Sequence, residues 1–166
     1  MDLFDAIAQR ASVRAYHPVD VPDDDLRRIV DAGRRAPSGG NRQPLHFLGI
    51  TKRETLDALA PVQEAFGSAS AAVGIVADPA ASRWWLEDAS AAAQNMLLAI
   101  TALGYASVWV EGTLLKQEAM AKDLLGVPTE QRLIILLPIG QAPQPPVQAE
   151  KKPLDEVLFR ERYGHA

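Results

Sequence analysis

Four short stretches concentrate the side chains that could hold or activate a ligand. Arg10, Ser12 and Arg14 place two guanidiniums and a hydroxyl within five residues. Guanidinium forks match phosphate oxygens in a bidentate way, and serine adds a donor. The stretch is either an anion clamp or a solvated charged edge. Residues 37–44, PSGGNRQP, join backbone-permissive glycines to Ser38, Asn41 and Gln43, with Pro37 and Gly39 beside them. Glycine lets a backbone approach a ligand closely, and the polar trio supplies donors and acceptors. No GK[ST] follows, so this is not a Walker loop. It precedes a strand rather than a helix, so it is not a dinucleotide fingerprint. A ligand loop and a surface turn both fit. Val110, Glu111 and Gly112 end an apolar run, where a backbone N–H can face a ligand or simply turn the chain. Lys151 and Lys152 lie in a polar tail, either reaching for an anion or solvated.

What the chain lacks narrows the chemistry. None of its 166 residues is cysteine, which removes disulfides, thiolate nucleophiles and cysteine-ligated metals. His17, His46 and His165 share no helical metal-ligand spacing. Seventeen basic and 21 acidic residues give a net charge of −4, so bulk charge suggests neither nucleic acid nor an anionic membrane. The N-terminal MDLFDAIAQR has no apolar run of the secretory kind. Residues 89–110 are the most apolar stretch, but Gln94, Asn95, Thr101 and Gly104 interrupt them. A buried helix followed by a strand is the expectation, and the cytoplasm the expected location.

These stretches need a scaffold. A 48% hydrophobic chain of this length can bury roughly two thirds of its unfolded surface. Leu3, Phe4 and Ile7 predict a short first helix. Acids at the start and arginines at the end of DDDLRRIVDAGRRA predict a second, with Leu26, Ile29 and Val30 as its stripe. LHFLGI (45–50), AAVGIVA (71–77), YASVWV (105–110) and RLIILLPIG (132–140) read as strands. Thr51 and Glu54 have the spacing of a capping box. A long helix is expected from Trp84 to Leu103 with Gly104 as its stop, and another over 115–125, ended by Gly126 and Pro128. Trp84 and Trp85 read as core or interface anchors. Asp88 and Asn95 sit on a largely apolar helix and need partners if buried; Asp88 is placed to hold a loop. The proline- and glutamine-rich residues 141–153 read as an extended arm. Pro153 then opens a last helix with Leu154, Val157 and Leu158 as its stripe. The expectation is one domain, residues 1–166, of α+β or α/β class with about four strands. Its terminal piece, residues 141–166, is this arm and helix, free to pack on its own chain or on a partner chain.

In this order the pieces resemble the FMN-dependent nitroreductase family along nearly the whole chain. RASVRAY looks like the family's R-x-S-x-R/K opening. APSGGNRQPLHF resembles its A-P-S-x-x-N-x-Q-P-W-x-F loop and strand. DASAAAQNMLLAITALGYASVWVEG is similar to its central helix and following strand, and LPIGQAP with KKPLDEVL to its tail. Three positions depart from the pattern: Leu45 replaces the loop tryptophan, Lys151 the tail arginine, and Ala149 a basic residue found in some relatives. Only 69 residues lie between Asn41 and Glu111, an interval where larger members insert a helical lid. A more open site is expected.

The resemblance implies an α+β three-layer sandwich. Its central, mainly antiparallel sheet is flanked by helices, and the C-terminal arm is exchanged between protomers. It implies a homodimer with FMN at the interface and NAD(P)H as electron donor. By this resemblance Arg10 and Ser12 would hold the phosphate and ribityl end, with Lys151 completing the phosphate site. Arg14 would lie near the flavin N1–C2 carbonyl edge, its charge favouring the anionic reduced ring. Ser38 and Asn41 of the other subunit would meet the flavin beside Pro37 and Gly39, with Gln43 matched more loosely. Glu111 and Gly112, at the end of the strand that Val110 closes, would present N–H groups to N5 and O4. Nitroaromatics and quinones are the family's usual acceptors, used in a ping-pong cycle. The alternatives are a flavin store or sensor without turnover, a specialised branch such as reductive dehalogenation or flavin fragmentation, and a dimeric α+β domain without cofactor.

Overall fold

The computed structural model describes residues 1–164, and His165 lies outside them. Four strands, β1 (Leu45–Ile50), β2 (Ala71–Ala77), β3 (Ala106–Ser107) and β4 (Arg132–Gly140), form one antiparallel sheet in the order β1-β2-β4-β3. β2 and β4 occupy the middle and are buried along almost their whole length. They therefore read as continuous apolar runs rather than alternating ones. Opposite Ile75 and Val76 the register slips, and Ile134 is the extra residue. Adjacent Ile134 and Ile135 consequently face the same core, as a bulge requires.

Helices cover both faces. α1 (Leu3–Gln9), α2 (Asp23–Arg34) and α4 (Trp85–Ala102) lie on one side, where Leu26, Ile29, Met96 and Ile100 pack on Val73, Ile75 and Leu137. α3 (Arg53–Leu59), α5 (Gly112–Leu115) and α6 (Glu118–Leu125) lie on the other, around Leu56, Leu59, Phe66, Leu114 and Leu136. This is the expected α+β, three-layer arrangement. The long helix spans Trp85–Ala102 and stops at Gly104, whose φ of +87° suits glycine. Asn95 finds its partner in the Ala32 carbonyl, 3.1 Å away.

Four expectations are corrected. YASVWV is not one continuous strand. β3 holds only Ala106 and Ser107, and pairing resumes at the single bridge Val110–Leu136 in the same register. Val108 falls opposite Pro138, which has no N–H to donate, so the ladder breaks there. The Thr51/Glu54 capping box does not form, because α3 starts at Arg53 with Lys52 as its uncapped start. The Arg53 guanidinium instead donates to the Ala69 and Phe66 carbonyls at 2.7 and 2.8 Å, fixing that helix end from outside. The helix expected over 115–125 is two, α5 and α6. Gln117 has a non-helical φ of −130°, and its amide donates to the Pro61 carbonyl. Finally, residues after Pro153 make only a 3₁₀ turn, Leu154–Glu156. An amphipathic helix gains most of its stability by burying its stripe, and Leu154 and Val157 remain 67% and 55% exposed in the single chain.

Candidate functional site

The polar stretches occupy two opposite edges of the sheet. At the β3 edge, Ser12 bridges Ser107 in parallel and the Val13 N–H donates to the Ser107 carbonyl at 3.0 Å. This pairing holds residues 10–14 extended as an outer strand. Tyr16 anchors it from below, its hydroxyl donating to the Val13 carbonyl at 2.6 Å. Burial pushes the Tyr16 phenol well above its usual range, and the positive charge of Arg14 pulls the other way. The phenol therefore stays a neutral donor. Beyond it, Gly140 touches the Tyr16 ring so closely that a Cβ would fall 2.6 Å from Tyr16 Cβ. With the backbone so fixed, Ser12 and Arg14 are exposed and Arg10 is half-buried.

The arm joins the same corner. The Gln148 amide donates to the carbonyls of Ile7 and Arg10 at 3.1 and 2.9 Å. Lys151 follows three residues later and is exposed. Further along this edge, Val110 is buried against Leu136. The Trp109 indole donates to the Glu111 carboxylate at 3.0 Å, holding that side chain back. The N–H groups of Glu111 and Gly112, at the start of α5, donate to no backbone group among the described residues. Two free donors, one exposed and one half-buried guanidinium and a hydroxyl thus share one edge, and Lys151 follows three residues after the tethered Gln148. That donor set suits a phosphorylated ligand with carbonyl or ring-nitrogen acceptors at its other end.

The second group lies at the β1 edge. Residues 37–43 lead into β1, and Asp88 in the first turn of α4 pins them. The Asp88 carboxylate is 4% exposed and accepts from the Gly39 N–H at 2.9 Å and from the Ser82 hydroxyl at 3.0 Å. Ser82 Oγ accepts in turn from the Trp84 N–H at 3.2 Å. The Trp84 indole presses on Gly39, where a Cβ would come within 2.3 Å of Trp84 Cε3. Inside the loop, Ser38 Oγ accepts from the Gln43 N–H, and the Gln43 amide donates to the Asn41 carbonyl. Asn41 and Gln43 hold φ values of 54° and 50°, which non-glycine residues adopt reluctantly. Pro37, Asn41 and Gln43 are exposed, while Ser38 and Gly39 are half-buried. The sequence suggested Asp88 as a loop holder. It gave no role to Ser82 or Tyr16, although a serine two residues before a helix start and a tyrosine beside an arginine pair were the signals available.

One chain does not bring the two groups together. Three strand spacings of ~4.8 Å, about 14 Å in all, separate β1 from β3. The loop is tied to the first turn of α4, whereas Ser12 pairs beyond its far end. Among the described residues no cluster of His, Cys, Asp or Glu could hold a metal ion, and no helix is long and apolar enough to cross a membrane.

The model of the Nitroreductase family matches residues 7–72 and 60–141. The chain belongs to this family. It is 37% identical over 146 residues to an Archaeoglobus fulgidus protein named as an NADH dehydrogenase/NAD(P)H nitroreductase, covering 81% of this chain and 82% of that one. A Methanothermobacter thermautotrophicus protein of the same name is 29% identical over 88% of this chain and 80% of its own. Among solved structures, a nitroreductase from Desulfovibrio desulfuricans in complex with FMN superposes with a TM-score of 0.85 at 31% identity, covering 98% of both chains. A Parabacteroides distasonis NADH dehydrogenase/NAD(P)H nitroreductase gives 0.88 at 26%, covering 97% and 98%. The family fold is the arrangement described above.

Proposed function

We propose that two copies of this chain form an FMN-dependent NAD(P)H oxidoreductase that reduces small acceptors such as nitroaromatics and quinones. The observation that carries this reading is the β3 edge. There, Arg10, Ser12, Arg14 and the unengaged Glu111 and Gly112 N–H groups line one surface with the donor chemistry that FMN requires. The FMN complex of the 31% identical relative supports it.

In this reading Arg10, Ser12 and Lys151 hold the phosphate, and Arg14 sets a positive charge at the ring edge. The N–H groups of Glu111 and Gly112 hold and orient the polar ring atoms, on a turn that Val110 fixes against β4. The pinned loop of the second copy, with Pro37, Ser38, Gly39, Asn41 and Gln43, closes the other side. FMN when bound supplies hydride acceptance and delivery. The protein positions the rings, and NAD(P)H and the acceptor occupy the same cleft in turn, which is ping-pong behaviour. The short interval between Asn41 and Glu111 leaves that cleft without an inserted lid, so acceptor choice is broad. Residues 1–166 act as one domain whose arm, 141–166, wraps the partner. The exposed Leu154, Val157 and Leu158 support that exchange. The working compartment is the cytoplasm, consistent with a chain free of cysteine.

An anaerobic absorbance titration tests the function. Protein loaded with FMN and desalted is mixed with NADH or NADPH, then with a quinone. Retained flavin that bleaches and then recovers is the expected result. Retained flavin that never bleaches would make the protein a flavin store or sensor. No retained flavin would overturn the reading.

A further inference from the structure

One arginine within the pinned loop and one beside it have no role so far. Arg42 lies between Asn41 and Gln43, and Arg83 immediately precedes Trp84. Both are exposed. Their guanidinium carbons lie 5.9 and 4.1 Å from the centroid of the Trp84 ring. Trp84 is itself fixed, by its N–H to Ser82 and by Gly39 pressed against the indole.

Neither arginine takes part in any ion pair or side-chain hydrogen bond among the described residues. The nearby cations behave differently: Arg34 and Arg35 are both paired with Asp31. Glu87, one turn after Arg83, is not paired with it, and Asp88 spends its carboxylate on Gly39 and Ser82. A guanidinium stacked on an indole keeps its N–H edges free for an oxyanion. Both guanidiniums lie over this one ring, Arg83 closely and Arg42 at the outer limit of contact. Arg42 belongs to the loop that the proposed function assigns to the cofactor cleft, and Arg83 to the separate segment that leads into α4.

We propose that Arg42 and Arg83, braced by Trp84, form a subsite for an oxyanion carried by the substrate rather than by FMN. The group is a phosphate or carboxylate attached to the planar donor or acceptor. Its two possible sources are the 2′-phosphate of NADPH and the carboxylate of an acidic aromatic acceptor. The inference rests on the proposed function for its setting but not for its binding chemistry.

The test compares the FMN-loaded parent with the R42Q/R83Q double variant, both substitutions being at exposed positions. Two ratios of kcat/KM are read: NADPH over NADH, and nitrobenzoate over nitrobenzamide. A fall of about tenfold in one ratio, carried by KM, is expected. A fall in the first names the nicotinamide phosphate, and a fall in the second names an acidic acceptor. Both ratios staying within about twofold would overturn the proposal. If the parent proves inactive, the proposed function fails on its own account, and calorimetry reads the subsite directly. Adenosine 2′,5′-bisphosphate is titrated against AMP, and benzoate against benzamide. Preference for the added anion, lost in the double variant, supports the subsite. No preference in the parent, or an equal one in the variant, overturns it.

Discussion

The loop at residues 37–43 and the tail at residues 141–164 are both rich in turn formers, yet the chain treats them oppositely. The loop is fixed from within. A buried carboxylate, a serine and an indole hold it although Asn41 and Gln43 sit in the left-handed region. The tail is tied down at Gln148 and then exposes Leu154, Val157 and Leu158, while Phe4 on α1 is 79% exposed. Strain in the loop is held by a prearranged network, so its shape exists before any ligand arrives. The apolar side chains of the tail and of α1 remain uncovered until a second surface meets them. One region brings its geometry ready-made, and in the proposed dimer the other obtains it by association.

The largest expected effect separates the two directly. Deleting residues 141–166 removes Lys151 and the exposed stripe but leaves the sheet and the pinned loop intact. The shortened chain should elute as a monomer in light-scattering chromatography and lose its FMN on desalting. A stable dimer with undiminished FMN would refute arm exchange. Next is Asp88→Ala, which leaves the Gly39 N–H and the Ser82 hydroxyl without their acceptor. Urea unfolding should show a loss of about 2–4 kcal/mol, and FMN retention should fall as the loop relaxes. Asp88→Asn, which keeps an acceptor oxygen, should cost less. If Asp88→Ala leaves both quantities unchanged, the loop is not held from within.

A third prediction provides a control outside both regions. Arg132 grips Glu118 through hydrogen bonds of 2.8 to 3.1 Å and holds its carboxyl below the usual value of 4.5. The folded chain thus binds this proton less readily than the unfolded one. The stabilisation is present above pH 4.5 and is lost as pH falls through the lower folded value. Urea midpoints measured downward from neutral pH should drop in this acid range, and Glu118→Gln should flatten part of that drop. FMN affinity at neutral pH should be the same for both. The smallest effect is a gain. Lys151→Arg supplies the fork that lysine lacks and should tighten FMN binding by about 1 kcal/mol, roughly fivefold, in a fluorescence titration.

The sequence was informative wherever one physical signal dominated. Apolar runs with turn formers at their ends marked β1, β2 and β4, and Gly104 and Gly126 marked two helix stops. The errors arose where tertiary contacts outweighed local preference. Pro138 silenced the middle of the third strand from across the sheet. Arg53 set a helix start that the Thr51/Glu54 spacing had seemed to set. Gln117 broke a helix by reaching Pro61. The apolar stripe after Pro153 was legible, but a helix there needs a surface to lie on. At the site, the order of motifs picked out the residues proposed to meet FMN. It did not reveal that Pro37–Gln43 and Arg10–Arg14 lie at opposite edges of the sheet, because only the strand order β1-β2-β4-β3 places them there.

Complementation between two defective chains tests whether this separation divides each site between two copies. One variant carries Ser38→Ala and Asn41→Ala in the loop, and the other carries Arg10→Ala and Ser12→Ala at the β3 edge. Each alone should retain no FMN. If each site is built from the edge of one copy and the loop of the other, a heterodimer of the two variants has one intact site and one doubly defective site. Heterodimer purified through two different tags should therefore bind one FMN per dimer and bleach with NAD(P)H. A heterodimer that binds none, although wild-type dimers handled in the same way bind two, would place each site within a single chain and contradict the account.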